Sequence, residues 1–318
     1  MRRQGAYRPN LQQLRGKRPQ STVLCALTAL AFFVHPMSAV AGPPFQTDDP
    51  EPVDLGHYEF YVFSASDGTP IETDPIGPAF EFNWGALPNT QLHAILSFGA
   101  IVPSNNPAYT PAGEGPSAYG LLDTELGVKY RFIEQTKYMP EVGTFPMVEL
   151  PTGSYARGLG VGKTWYKLPI WIQKDFGPWT TYGGGGYQIV HQVDYKNFPY
   201  AGWLLQRDIG EKWTLGGEIW YHGAEGLATP QTQSATMLDF GGYYYFRKPA
   251  FQLLFCLGHS VAGQSETYAY LGLYWTWGGK KEGEPQGDPP LAWSSMARGP
   301  VMPNSVSAPG IAAAVPDL

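Results

Sequence analysis

The sequence has little charge and almost no cysteine. Only 15% of its residues are charged, against roughly 25% in an average soluble domain. It has two cysteines, Cys25 and Cys256. Cys25 lies in an apolar run, and the residues before it do not form a lipoprotein box. Cys256 would therefore be the single cysteine of an exported chain, and no intrachain disulfide is expected.

Several functional motifs are absent as well. No apolar run after residue 41 reaches the length of a membrane-spanning helix. That part of the chain also has no basic cluster, which argues against nucleic-acid binding. No H-E-x-x-H or C-x-x-C spacing occurs, so no metal and no cofactor are expected. Residues 158–164 resemble a phosphate-binding loop, but Arg157 stands where its first glycine is required.

Residues 1–41 have the pattern of an export signal. Six basic residues without an acidic one come first, an apolar run follows over residues 22–34, and Ala39-Val40-Ala41 forms a small-residue cleavage site. A membrane anchor is the alternative, but the run is shorter than the about 20 residues that span a bilayer. We expect the mature chain to begin at Gly42. Because six basic residues would leave, its net charge would fall from −6 to −12.

Strict alternation of apolar and polar residues is the main pattern in the remaining chain. Leu122, Leu126 and Val128 alternate with Asp123, Glu125 and Lys129 between residues 121 and 132, which indicates a strand with two different faces. The same reasoning predicts twelve strands, at 56–64, 79–84, 90–102, 119–132, 140–151, 164–174, 179–190, 200–208, 213–222, 235–246, 251–258 and 267–277.

The predicted connections alternate between long and short, as they do in outer-membrane barrels with long outer loops and short periplasmic turns. Aromatic residues cluster at 243–246 and 274–277, like the interfacial girdles of such barrels. The predicted fold class is all-β, a transmembrane antiparallel up-and-down barrel of about 12 strands. A soluble periplasmic barrel is the alternative. The domains are a signal peptide (1–41), a periplasmic segment (42–55), the barrel (56–277) and a disordered Gly/Pro-rich tail (278–318).

If the polar faces point inward, they define a predicted lumen lining. It comprises Glu59, Glu81, Asp123, Glu125, Lys129, Arg131, Glu149, Lys167, Asp208, Glu218, His222 and Asp239. An acidic lining would favour cations in an open pore, whereas charges that pair across a narrow barrel would plug it. Asp48, Asp49 and Glu51 precede the first strand and are predicted at the periplasmic mouth, as a turn or a cation or partner site.

The stretches 42–45, 47–52 and 57–59, together with 149–153, 158–162 and 179–187, resemble the outer-membrane family known as phenol-degradation meta-pathway proteins, which are labelled transporters. The resemblance covers residues 42–277. It implies a barrel and the uptake or efflux of small molecules, aromatic ones among them. It supplies neither a substrate nor a catalytic residue.

The sequence therefore predicts a channel or transporter for small solutes, aromatic or hydrophobic ones included, in the outer membrane of a Gram-negative bacterium. Its expected partners are membrane lipid, the solute and the barrel-assembly machinery, which would recognise Tyr270, Gly272, Trp275 and Trp277 in the last strand. A non-conducting structural or binding barrel is the first alternative. A hydrolase built on His222, Glu218 and Asp239 is the second, although no enzyme is expected.

Overall fold

The computed structural model describes residues 43–104, 117–193, 195–226 and 233–279. Among these residues no helix is both long and apolar enough to cross a membrane. The structure consists of strands that follow one another along the chain: β1 (His57–Gly68), β2 (Glu72–Leu87), β3 (Thr90–Pro103), β4 (Ala118–Leu121), β5 (Thr124–Ile133), β6 (Glu141–Thr144), β7 (Met147–Leu150), β8 (Trp165–Phe176), β9 (Trp179–Val190), β10 (Phe198–Ile209), β11 (Trp213–His222), β12 (Ala235–Arg247), β13 (Phe251–Gly263) and β14 (Thr267–Gly278).

The strands form one closed antiparallel sheet. Each pairs with its neighbours in sequence, and β1 closes the barrel by pairing with β14 from His57–Gly278 to Gly68–Thr267. β4 and β5 both pair with β3, and β6 and β7 both pair with β5 and β8, so each of these couples is one wall strand with a break. The wall therefore has twelve strands, as predicted. Closure leaves no unpaired edge, which is what a strand-built membrane protein requires.

Burial alternates along each strand and distinguishes an inner from an outer face. In β10, Leu204 and Gln206 are buried, whereas Trp203 and Leu205 are 49% and 45% exposed. Exposed apolar side chains of this kind recur around the whole outer wall. Such a wall suits acyl chains rather than water.

Two predicted outer loops are wrong, because β1, β2 and β13 are longer than expected. β2 begins at Glu72 rather than residue 79, so its connection to β1 is the short turn 69–71. β13 likewise extends to Gly263, and 264–266 is a tight turn. Proline and glycine are uncommon inside strands, but the structure accommodates Pro75, Gly77 and Pro78 in β2, where the register is irregular.

The aromatic cluster at 243–246 divides between the two faces of its strand, because successive residues of a strand point to opposite faces. Tyr243 and Tyr245 are buried on the inner face. Tyr244 and Phe246 lie on the outer face, where their rings contact Trp213 and Phe251, so half of the predicted girdle residues are on the outer surface. The predicted signal peptide (1–41), nearly all of the tail (280–318) and most of the outer loop at 103–118 lie outside the described residues.

Candidate functional site

The interior of the barrel is lined differently on its two sides. The inner faces of β9 to β14 and β1 form an aromatic arc, in which Tyr61, Tyr182, Tyr243 and Tyr274 are at most 2% exposed. The inner faces of β2 to β8 form a charged arc that includes the buried residues Glu81, His93, Glu125, Lys129, Glu141 and Gln173.

Residues 43–55, here called the lumen segment, lie inside the barrel between the two arcs. On the aromatic side, the main-chain N–H groups of Gln46 and Thr47 donate to the carboxylate of Glu218, at 3.0 Å for Gln46. The side-chain amide of Gln46 donates to Asp239 at 3.1 Å. Each buried carboxylate thus receives a donor, without which its burial would be strongly unfavourable.

The charged arc holds the other side of the lumen segment. Lys129 Nζ lies 2.8 Å from Asp48 and 3.2 Å from Asp49. The amide of Gln173 donates to Glu51 at 3.3 Å, and the N–H of Val53 donates to Gln91 at 2.9 Å. The three acidic residues predicted at the periplasmic mouth therefore lie inside the barrel. There the carboxylates of Asp48 and Asp49 pair with the buried ammonium group of Lys129. If these aspartates formed a turn at the mouth, the Lys129 ammonium group would be buried without a partner, which is unfavourable.

Glycines in the wall make room for the lumen segment. A Cβ atom on Gly202 would overlap Thr47 Oγ1, and one on Gly85 would overlap the carbonyl oxygen of Asp54. On Gly143 it would lie 2.9 Å from the carbonyl oxygen of Pro50. The close approach of the lumen segment to the wall backbone therefore requires glycine at these positions.

The lumen segment runs along the barrel axis. Tyr268, near the start of β14, donates its hydroxyl to the Pro44 carbonyl at 3.1 Å. This end of the barrel, here called the long-loop rim, carries the connection 151–164 and residues 223–226, which follow β11. Val53 contacts Gln91, near the start of β3 at the opposite, short-turn rim. The lumen segment thus extends from near the long-loop rim to near the short-turn rim.

A connected polar network covers the charged arc beside the lumen segment. His93 lies 2.6 Å from Asn83 Oδ1 through Nδ1 and 3.0 Å from Glu125 through Nε2. Lys167 lies 2.8 Å from Glu125 and 3.8 Å from Glu149. Because these carboxylates have cationic or hydrogen-bonding partners, they give the lumen a weaker negative field than a count of acidic residues suggests.

Most of the predicted lining residues lie on the inner face. Glu59 accepts a hydrogen bond from Tyr274 at 2.8 Å, and Arg131 lies 3.5 Å from Glu141. Asp208 is on the same face at the short-turn rim, where it pairs with Lys248 at 3.3 Å. Glu81 accepts a hydrogen bond from the Asn83 amide at 2.9 Å. The other members have partners named above, apart from Asp123 and His222, which are described next.

Asp123 organises an outer loop instead of lining a wall strand. It lies in the break between β4 and β5, and its carboxylate accepts the N–H groups of Gly153 and Val161 at 2.9 and 2.8 Å. The loop 151–164 is folded against the inside of the wall, and its Leu159 is 2% exposed. The glycine-rich stretch that resembled a phosphate-binding loop is therefore held by an aspartate.

His222 belongs to a different group of residues from the other two hydrolase candidates. Its Nε2 lies 2.8 Å from Glu266, and its Nδ1 lies 3.0 Å from the carbonyl oxygen of Gly223. Glu218 and Asp239 instead hold the lumen segment. Within the described part of the chain, no group of three or more His, Cys, Asp or Glu side chains is arranged to hold a metal ion.

Sequence reasoning missed His93, Gln91 and the tyrosines of the aromatic arc. Gln91 and His93 lie on the buried face of β3, which alternates with its exposed face. Adding the polar residues of that face to the predicted lining would have included both. The inward tyrosines carry no such signal, because alternating aromatic residues fit either face of a barrel strand.

Comparison with known proteins places the fold among outer-membrane barrels. No protein-family model and no curated protein matches the chain. The structure of an outer-membrane channel from Pseudomonas putida F1 matches with a TM-score of 0.58 and 16% identity, over 75% of this chain and 100% of that one.

Two further solved structures are more distant. The KdgM porin matches with a TM-score of 0.45 and 7% identity, over 68% of this chain and 99% of that one. The monoaromatic hydrocarbon channel CymD matches with a TM-score of 0.36 and 10% identity, over 72% and 90%. At 16% identity the similarity to the Pseudomonas putida structure concerns the fold alone, and the chain has the fold of an outer-membrane β-barrel.

Proposed function

We propose that this protein is an outer-membrane channel for small apolar or aromatic solutes, and that the lumen segment blocks the aqueous path along its axis. The observation that carries the proposal is the aromatic arc, which lines one side of the lumen with buried tyrosine rings. Aromatic solutes stack favourably on such a surface. In this proposal the short-turn rim faces the periplasm.

Hydroxyl groups in the arc indicate tolerance for a polar substituent on the solute. The hydroxyls of Tyr200 and Tyr270 are buried, and no protein atom of the described residues accepts or donates a hydrogen bond to either. A buried hydroxyl without a partner is costly. A phenolic solute or a water molecule would satisfy these groups as it passed.

The solute class is tested with an apolar fluorescent probe. N-phenyl-1-naphthylamine fluoresces when it enters a membrane, and vesicles with a lipopolysaccharide outer leaflet exclude it. The protein is expected to accelerate its entry while conducting few ions in a planar bilayer. If vesicles that contain the protein take up the probe no faster than vesicles without it, the proposal is refuted and the non-conducting barrel is favoured.

The role of the lumen segment is tested with a disulfide. A Cβ on Gly202 would lie 3.1 Å from Thr47 Cβ, shorter than the separation of about 3.5–4.5 Å in a disulfide, so a small shift of the lumen segment away from the wall would allow the bond to form. We therefore consider Thr47→Cys with Gly202→Cys in a Cys256→Ala background. Oxidation is expected to abolish ion conductance and reduction to restore it in the same protein. The single variant Thr47→Cys, which cannot form the bond, should not respond to oxidant.

Equal conductance of the oxidised and reduced double variant would contradict a blocking role for the segment. The hydrolase alternative has a separate test. Ester hydrolysis that is lost in His222→Ala, with unchanged probe entry, would favour it.

A further inference from the structure

A row of aromatic rings fills the lumen on one side of the lumen segment. Phe145, Trp171 and Tyr200 form one buried cluster, and Trp220 packs against it. The ring centroids of Trp171 and Tyr200 are 6.3 Å apart, and those of Tyr200 and Trp220 are 5.6 Å apart. These four side chains, here called the aromatic seal, come from the break between β6 and β7 and from β8, β10 and β11. The seal therefore extends along the inner wall from β6 to β11.

Both ends of the aromatic seal meet the lumen segment. Lys129 Nζ, which pairs with the lumen segment, lies 4.9 Å from the centroid of the Phe145 ring. At the other end, a Cβ atom on Gly202 would lie 2.7 Å from Trp220 Cε3 and would also overlap Thr47 Oγ1, so Trp220 and Thr47 approach the same point of the wall. The seal and the lumen segment together therefore close the part of the lumen that lies between them.

Phe145 is the member of the seal that the wall holds least firmly. Phe145 and Pro146 lie between the ladders that join β6 and β7 to β8, and neither residue pairs with β8. The cause is local, because Pro146 and Pro169 on the facing strand have no N–H group to donate. Phe145 makes no main-chain hydrogen bond with another described residue. The other three members of the seal lie in strands that pair on both sides.

The Phe145 ring has open lumen on its side toward the long-loop rim. A Cβ atom on Gly127 would lie 2.7 Å from Phe145 Cε2, so the ring rests on a wall position that has no side chain. The ring of His93 meets it edge-on, with the centroids 5.0 Å apart. One step nearer the long-loop rim, the Lys167 side chain is 28% exposed and so borders water. The ring can therefore turn toward space that a solute from the long-loop rim also reaches.

We propose that Phe145 is the gate for small aromatic solutes: its ring turns aside and lets the solute pass the lumen segment, which stays bound. The inference rests on the proposed function. An aromatic solute can replace the Phe145 ring against Trp171 and Tyr200, because the seal offers faces and edges on which any aromatic ring stacks. Ions would lose their hydration at the seal without gaining such a contact. The gate thus admits aromatic solutes while ion conductance stays low.

The test removes the ring and then restores it in the same protein. Phe145→Cys, in the Cys256→Ala background, is expected to accelerate entry of N-phenyl-1-naphthylamine at least about tenfold, equivalent to about 1.4 kcal/mol in the barrier. Benzyl methanethiosulfonate attaches an aromatic ring to the new thiol and should return entry toward the rate of the parent protein. Methyl methanethiosulfonate attaches a methyl group, and entry should stay fast. Because one folded protein is compared before and after reaction, a folding defect cannot produce this difference.

Phe132→Cys in the same background is the matched control. Phe132 is 47% exposed on the outer face of β5, so this variant removes an equal ring from the lipid-facing wall. Its entry rate should equal that of the parent protein, with or without either reagent.

The disulfide between the lumen segment and the wall separates the gate from release of the segment. Phe145→Ala is added to the Thr47→Cys/Gly202→Cys protein in the Cys256→Ala background. After oxidation, entry should still be at least about tenfold faster than in the oxidised protein that retains Phe145, the same 1.4 kcal/mol in the barrier. The lumen segment cannot leave the wall in either protein, so the difference measures the gate alone.

Three results would overturn the inference. Entry at the parent rate in Phe145→Cys would show that the ring does not limit the path. Equal effects of the benzyl and methyl reagents would show that the aromatic ring is not what closes it. Loss of fast entry in the oxidised Phe145→Ala protein would show that solutes pass where the lumen segment lies. Failure of the proposed function is distinct from these, because the wild-type protein itself would then not accelerate entry, whereas fast entry in Phe145→Cys that the benzyl group reverses would still establish the gate.

Discussion

Replacing Lys129 by methionine tests whether the lumen segment is held by ion pairs. Lys129 Nζ lies 2.8 Å from Asp48 and 3.2 Å from Asp49, and the side chains of Lys129 and Asp49 are 5% and 1% exposed. Breaking a buried ion pair by removing one partner costs about 3–5 kcal/mol, because the other charge stays buried alone. Asp48 is 19% exposed, so water offsets part of this cost and the lower end of the range applies.

The substitution should destabilise the bound position of the lumen segment and not the barrel wall. The backbone ladders of β5 do not involve the Lys129 side chain, so the wall should remain folded. A loss of about 3 kcal/mol would raise the population of the released segment about a hundredfold. The contacts of Gln46 and Thr47 with Glu218 would still be able to form.

The assay is the labelling rate of Thr47→Cys by a membrane-impermeant maleimide, in a Cys256→Ala background. When opening is fast relative to labelling, the rate follows the open population. Ion conductance should rise in the same variant. Lys212→Met is the control, since Lys212 is exposed in a turn of the short-turn rim. A change of less than about threefold in labelling, which is about 0.6 kcal/mol, would refute the reasoning.

Three other substitutions test the architecture. Gly202→Val should displace the lumen segment by overlap with Thr47, which conductance measures. Asp123→Ala should leave the Gly153 and Val161 N–H groups unpaired, at about 1–3 kcal/mol each if they stay buried, and make loop 151–164 sensitive to protease. Leu205→Arg on the outer face should lower the free energy of unfolding in lipid by about 2–4 kcal/mol, measured by urea titration.

Each of these has its own contradicting result. Gly202→Val with wild-type conductance would mean that the wall yields instead of the segment. An intact protease pattern for Asp123→Ala would mean that other contacts order the loop. Unchanged stability of Leu205→Arg would place that face outside the hydrocarbon layer; Glu211→Arg, in an exposed turn, is its control.

The sequence was sufficient to predict the twelve wall strands, because alternation is a local property of each segment. β9 and β11 have the predicted bounds. The failure at β2 is also local in origin: Pro75 and Pro78 favour turns in most contexts, and only a sheet that tolerates unpaired positions accommodates them in a strand.

The site was predicted less well, because the decisive contacts are remote in sequence. Gln46 and Glu218 are 172 residues apart, and Asp48 and Lys129 are 81 apart. The lumen segment has no periodicity, so the sequence indicates only a turn or a cation or partner site at the mouth for its acidic residues. The alternation of residues along a strand identifies its two faces, but it does not show that one of these faces contacts a remote part of the chain.

The lumen segment also has a consequence for the order of assembly. Pro44 is near the beginning of the described chain, yet its partner Tyr268 is 224 residues further on, in the strand that closes the barrel. Contacts with such a separation form late, because the intervening chain must be ordered first. Pro44, which is synthesised early, thus acquires this partner only when the final strand is in place. A barrel that lacks that strand would bind this segment incompletely, so a fully bound segment indicates that the barrel wall is complete.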